Sequence, residues 1–161
     1  MYIRFYKPLF MELKNLFDST VKGDIAIRIN KLNPRSQPQW GKMNVKQMVK
    51  HCTMWEEVVL GKRKIKVPLL GRLLGKFFLR QMIKDENPLK SSLPAVEELK
   101  VTESINGELN EEKREWISLI NEYPQLSNRN YQLPFIGKVK KEQAGYVAFK
   151  HTDHHLRQFN V

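Results

Sequence analysis

A single cysteine, Cys52, stands in the chain, so no internal disulfide can form, and a reducing compartment is the expectation. Long apolar runs are missing too. Lys or Arg interrupts each one after a few residues, well short of the roughly 20 apolar residues that a membrane-spanning helix needs. The first ten residues carry Arg4 and Lys7 among their apolar positions and are followed by no small-residue cleavage site, which excludes a secretory leader on pattern and points to the cytoplasm. Internal repeats and low-complexity stretches are absent, so a solenoid is not expected. Acidic residues are scarce in one place only. Residues 61 to 90 hold nine Lys or Arg and two acids, whereas residues 91 to 161 hold nine and ten. The net charge of +11 is therefore concentrated in the middle of the chain, and an anionic partner is suggested for that segment alone.

What is present fits one domain. The 161 residues, 41% apolar and 28% charged, suffice for a single core. Residues 1–17 lack clean periodicity and read as an N-terminal extension, with Met11 as an alternative start; residues 18–161 read as the domain. Asp18 or Ser19 suits a helix N-cap, and Val21, Ile25, Ile29 and Leu32 recur at helical spacing until Asn33-Pro34 ends the pattern. Asn44 caps a second expected helix, Val45 to about Leu60, whose apolar stripe holds Met48, Cys52, Met54, Trp55, Val58 and Val59 with His51 at its centre. Pro68 can open a short helix to about Lys84, with Leu69, Leu70, Leu73, Leu74, Phe77 and Phe78 as its apolar surface and two glycines weakening it. Residues 85–99 look extended or turn-rich. Leu109 to Tyr123 is an amphipathic helix with Trp116, Ile117, Leu119 and Ile120 inward, and a loop then leads to the last helix, Lys140 to Phe159.

Histidine is also rare, four residues in all, and its placement is the main functional signal. On a helical wheel His151 and His155 share one stripe with Ala144, Val147, Ala148 and Phe159, while Lys150, Asp153 and Arg157 lie opposite; His154 sits at the edge of the stripe. Positions i and i+4 place Cβ atoms roughly 5–6 Å apart, within reach of one metal ion. His51 faces inward on its own helix. Both readings of that pattern stand at this point: satisfied core histidines, or ligands whose burial a metal offsets. Two long helices with inward histidines among four suggest an all-α four-helix bundle with a long insertion between helices 2 and 3, because bundle sites are built from facing helices.

The segments QWGKMNVKQMVKH and KHTDHHLRQF resemble the DinB-like superfamily of metalloenzymes, most of all a bacterial branch described as a domain of unknown function. The resemblance covers about residues 18–161. It implies a four-helix bundle that holds one divalent metal, zinc or nickel, through three histidines, here His51, His151 and His155. His154 matches a histidine that often precedes the last ligand without binding. Some relatives are metal-dependent thiol S-transferases or isomerases that use low-molecular-weight thiols, so a metal-dependent transferase or hydrolase acting on a small molecule is the expectation, with a homodimer as a further one.

Three neutral imidazoles would leave an open coordination position, the arrangement of a catalytic zinc site. No general base is evident, since Glu56, Glu57 and Asp153 point away from the histidine stripe on the wheels. Asn44, Gln47 and Gln158 share that stripe as candidate orienting groups. Cys52 lies about 100° off it and reads as a small core residue rather than a nucleophile. Two functions follow: a metal-dependent enzyme with residues 61–84 as a lid, or a non-catalytic helical protein whose 61–84 segment meets an anionic partner. No specific nucleic acid is expected, and a membrane surface is the lesser alternative to the lid.

Overall fold

The computed structural model describes residues 13–66, 69–91, 99–102, 105, 107–123, 131–133 and 136–161; the side chains of residues 69–74 and 132 fall outside the description, as does residues 1–12 of the expected extension. Among the described residues five helices carry the fold: α1 (Ser19–Lys31), α2 (Val45–Val59), α3 (Leu69–Ile83), α4 (Leu109–Asn121) and α5 (Lys141–Gln158). The fold is all-α, as expected. A short antiparallel hairpin, β1 (Tyr131–Leu133) with β2 (Gly137–Val139), adds an element that the sequence reading took for a loop.

Local chemistry sets the helix starts. The Asp18 carboxylate accepts from the backbone N–H groups of Thr20 and Val21, and Asn44 forms a capping box with Gln47, which fixes the entry of α2. Gln47 is thus used as a cap. Helix α2 packs on α4 and α5, and α1 packs on the same two, so the four helices close a ring around one core. Trp116, Tyr123, Met48, Val147 and Leu156 are fully buried there, each side chain contributing about 1.5–3 kcal/mol of burial. Leu16 and Phe17 join that core. The Leu16 N–H donates to Gly145 O, and a Cβ on Gly145 would stand 2.5 Å from Phe17 Cδ2, so only glycine lets this segment lie against α5.

Charged residues seal the edges of the ring. Lys113 is buried and donates to the carbonyls of Asn30 and Leu32, covering the C-terminal end of α1. Lys150 and Asp153, expected on the outer face of α5, are buried as well. Asp153 accepts from Arg28 of α1 and from Arg157, both at 2.7 Å. Lys150 belongs to a stripe of donors, Tyr146, Lys150 and His154, that bond the carbonyls of Asp85, Asn87 and Leu89. One turn of α5 therefore matches every second residue of the segment that leaves α3. This strap covers a face that a single-helix wheel leaves in water.

Candidate metal centre

Helix α2 contributes His51 and helix α5 contributes His151 and His155, and each brings one ligand nitrogen to a cluster whose atoms all lie within 4.8 Å of one another. The three rings contact one another, with centroids 4.7–5.1 Å apart. Among the described residues this is the group of histidine, cysteine or carboxylate side chains placed to share a cation. The three histidines that the resemblance implies as one site, from distant parts of the chain, thus lie together. Cys52 is fully buried and contacts Met48 Sδ, outside the cluster, and burial pushes its thiol well above its usual value. It is an inert core residue.

Hydrogen bonds settle which nitrogens are free. The Nδ1 of His51 lies 2.8 Å from Leu99 O, and a carbonyl only accepts, so Nδ1 carries the proton and Nε2 keeps its lone pair. Gln158 does the same for His155. Its Nε2 donates to Trp40 O at 2.7 Å, which turns Oε1 toward His155 Nδ1 at 2.9 Å, so that nitrogen is again the donor. Both imidazoles aim a bare Nε2 at the cluster, as metal-bound histidines with an oriented outer nitrogen do. His151 stacks on Trp55, centroids 4.4 Å apart and planes 21° apart. Its Nε2 is 3.2 Å from His51 Nε2, and its Nδ1 is buried with no hydrogen-bond partner among the described residues.

Burial makes these rings neutral. Desolvation lowers His51, with His154 adding to the effect and the Leu99 bond opposing it; it lowers His151 well below the usual range, reinforced by His155 and His51; and it brings His155 down to about 3, again reinforced by His51. The donor set and spacing fit a divalent cation. Two nitrogens bound at about 2.0–2.1 Å to one tetrahedral zinc lie roughly 3.3 Å apart, and the 3.2 Å pair already does. The widest spacing is larger, leaving the third ring a small inward shift to make. With His51 Nε2 bare and His151 Nδ1 unmet, the His151 Nε2–H donates to His51 Nε2 at 3.2 Å, and a cation held by both Nε2 atoms would take the place of that shared proton.

Two parts of the site were not read from the sequence. Leu99 acts through its backbone, which has no side-chain signature. The Trp40–Gly41 turn acts through Gln158: Gly41 has φ +82°, and a Cβ there would stand 2.7 Å from Gln158 Nε2. Trp40 also lies beside His154, centroids 5.6 Å apart. Gln158→Leu removes the acceptor that orients His155 and is expected to weaken metal binding about 10–100-fold, and Gly41→Ala to weaken it in the same direction, both read by competition against a chromophoric chelator. Unchanged affinity in both would show that the turn has no hold on the cluster.

Among the described residues no carboxylate joins the histidines. Glu56 is fully buried, but it accepts from Tyr123 and from Thr152, and Asp153 is held by its two arginines. Burial raises the Glu56 carboxyl to about 7 despite both hydrogen bonds. A family model described as DinB superfamily matches residues 30–159, a span that contains all three clustered histidines. No curated protein and no solved structure matches the chain.

Proposed function

The chain belongs to the DinB superfamily, and from that premise we propose that His51, His151 and His155 hold one divalent metal, zinc or nickel, and that the protein is a metal-dependent enzyme acting on a small molecule in the manner of a thiol S-transferase. The observation that carries the reading is the geometry of the cluster: three neutral imidazoles from two helices, two of them with the outer nitrogen donating and the inner one bare. Imidazole sets of this kind suit zinc and nickel. When bound, a metal with three protein ligands supplies Lewis acidity and a lowered pKa for a water or thiol in its open position.

The chain's own residues then have defined tasks. Leu99 O and Gln158 Oε1 hold the ligand rings, and Trp55 walls off one face of His151. Since no carboxylate of the described residues joins the three histidines, the reading rests on metal activation of the nucleophile, which suits a thiol better than a poorly acidic alcohol. His154, kept neutral by burial and tied to the Leu89 backbone, is positioned beside His155 rather than inside the cluster. The cytoplasm, where low-molecular-weight thiols stay reduced, is the compartment this reading requires; no helix among the described residues is long and apolar enough to cross a membrane.

Metal bound only by the folded chain stabilises it by mass action, by about 2.7 kcal/mol at a hundredfold excess over Kd. Adding a chelator to metal-loaded protein is therefore expected to lower the melting temperature by several degrees, and restoring zinc or nickel to reverse the change. An unmoved melting temperature in protein shown beforehand to contain metal would contradict a site that ties α2 to α5.

A further inference from the structure

Helix α3 points two phenylalanines into solvent. Phe77 is 59% and Phe78 41% exposed, and their rings meet edge to face with centroids 6.3 Å apart. The sequence placed both on the buried surface of a lid; instead Leu79, Met82 and Ile83 pack toward the core, where α3 rests on α5 and β2. Lys76, Arg80 and Lys84 follow one another at single-turn spacing beside the two rings, and all three are exposed. They form no ion pair with a described residue, whereas two basic residues farther upstream do: Lys62 bonds Glu122 and Arg63 bonds Glu57. No acidic residue occurs between Lys62 and Lys84.

Unpaired cations and exposed aromatic rings on one helical face call for a surface that rewards both. An anionic bilayer does: rings enter the boundary between headgroups and acyl chains while ammonium and guanidinium groups meet lipid phosphates. A nucleic-acid duplex would satisfy the cations and leave the rings without an apolar phase. Exposed phenylalanines in a soluble partner-free surface are otherwise a liability. We propose that the outward face of α3 docks on an anionic membrane surface, a peripheral contact that leaves the helix bundle outside the bilayer. It is independent of the metal reading, since the face holds none of the clustered histidines.

Co-sedimentation of the full chain with phosphatidylcholine vesicles, with and without a third of phosphatidylglycerol, tests this at low and at physiological salt. Binding is expected only with the anionic lipid, weakening as salt rises. Each cation removed should weaken partitioning about fivefold, so Lys76→Gln, Arg80→Gln and Lys84→Gln together should lower it on the order of a hundredfold. Phe77→Ser with Phe78→Ser should lower it as well, at both salt concentrations. All these side chains are exposed, so the variants should keep the melting temperature and metal content of the unaltered protein, and the result stands whatever the histidines bind. Absence of binding at low salt overturns the proposal. Binding that the two serines leave intact overturns it too, because it would mark a patch for polyanions such as duplex DNA rather than for lipid.

Discussion

Replacing His151 by alanine is expected to lower the affinity for zinc or nickel by at least about a thousandfold, the largest effect of any single change in this chain. His151 is the link between its neighbours: its Nε2 faces His51 at 3.2 Å and its ring touches His155 on the same helix. Loss of one of three imidazoles leaves two nitrogens, and among the described residues no carboxylate or thiolate stands with them to take its place, since Cys52 contacts Met48 and Glu56 is held by Tyr123 and Thr152. His51→Ala and His155→Ala should behave alike. The metal should also leave on acidification, because the ligands bind only as neutral rings; burial holds all three below the free-imidazole value of about 6.5, with His155 at about 3, so affinity should hold between about pH 7.5 and 5.5 and fall only in more acidic solution. Competition titrations at pH 7.5, compared with a series carried down toward pH 4, measure both effects. Equal affinity in the His151 variant would remove this residue from the site.

Glu56 carries the second large effect, on stability rather than on metal. Its carboxyl is raised from 4.5 to about 7 in the folded chain, chiefly by burial, so the folded state binds the proton more tightly than the unfolded state does. The stability it contributes is fully present below pH 4.5, is lost as pH rises toward 7, and does not change further above that. The span corresponds to about 3 kcal/mol. Glu56→Gln keeps partners for the hydroxyls of Tyr123 and Thr152 but cannot ionise. Relative to the parent chain it should therefore gain about 3 kcal/mol between pH 4.5 and pH 8, measured by urea unfolding of both metal-free proteins. The buried histidines contribute the opposite slope, losing stability as pH falls below 6.5, but they do so equally in the two chains. Parallel pH profiles would mean that Glu56 ionises as easily in the core as in water.

Helix starts and the histidine cluster were legible because their causes are local. Asp18 and Asn44 are short acceptors placed before apolar stripes, and His151 and His155 are four residues apart on one of those stripes. What sequence alone misplaced depends on neighbours. Lys150 and Asp153 face outward on an isolated wheel, but Arg28 and the strap at residues 85–89 cover them. Lys113 is drawn inward by the open carbonyls of α1. Phe77 and Phe78 extend a leucine-rich stripe that reads as a packing surface, yet the faces of α3 that pack are those of Leu79, Met82 and Ile83. Leu99 and Trp40 reach the site through main-chain carbonyls, which no residue type advertises. The hairpin at 131–139 escaped because three-residue strands flanking a proline carry too little alternation to register.

X-ray absorption at the metal edge, on protein purified without a histidine tag, addresses the three-imidazole centre most directly. The cluster geometry predicts one metal per chain with imidazole scattering and three nitrogens at about 2.0–2.1 Å, completed by a light atom in the open position. A sulfur at about 2.3 Å from a protein thiolate would put Cys52 in the first coordination sphere, and an all-oxygen shell or the absence of any metal edge would leave His51, His151 and His155 as core residues; each of these results would contradict the account.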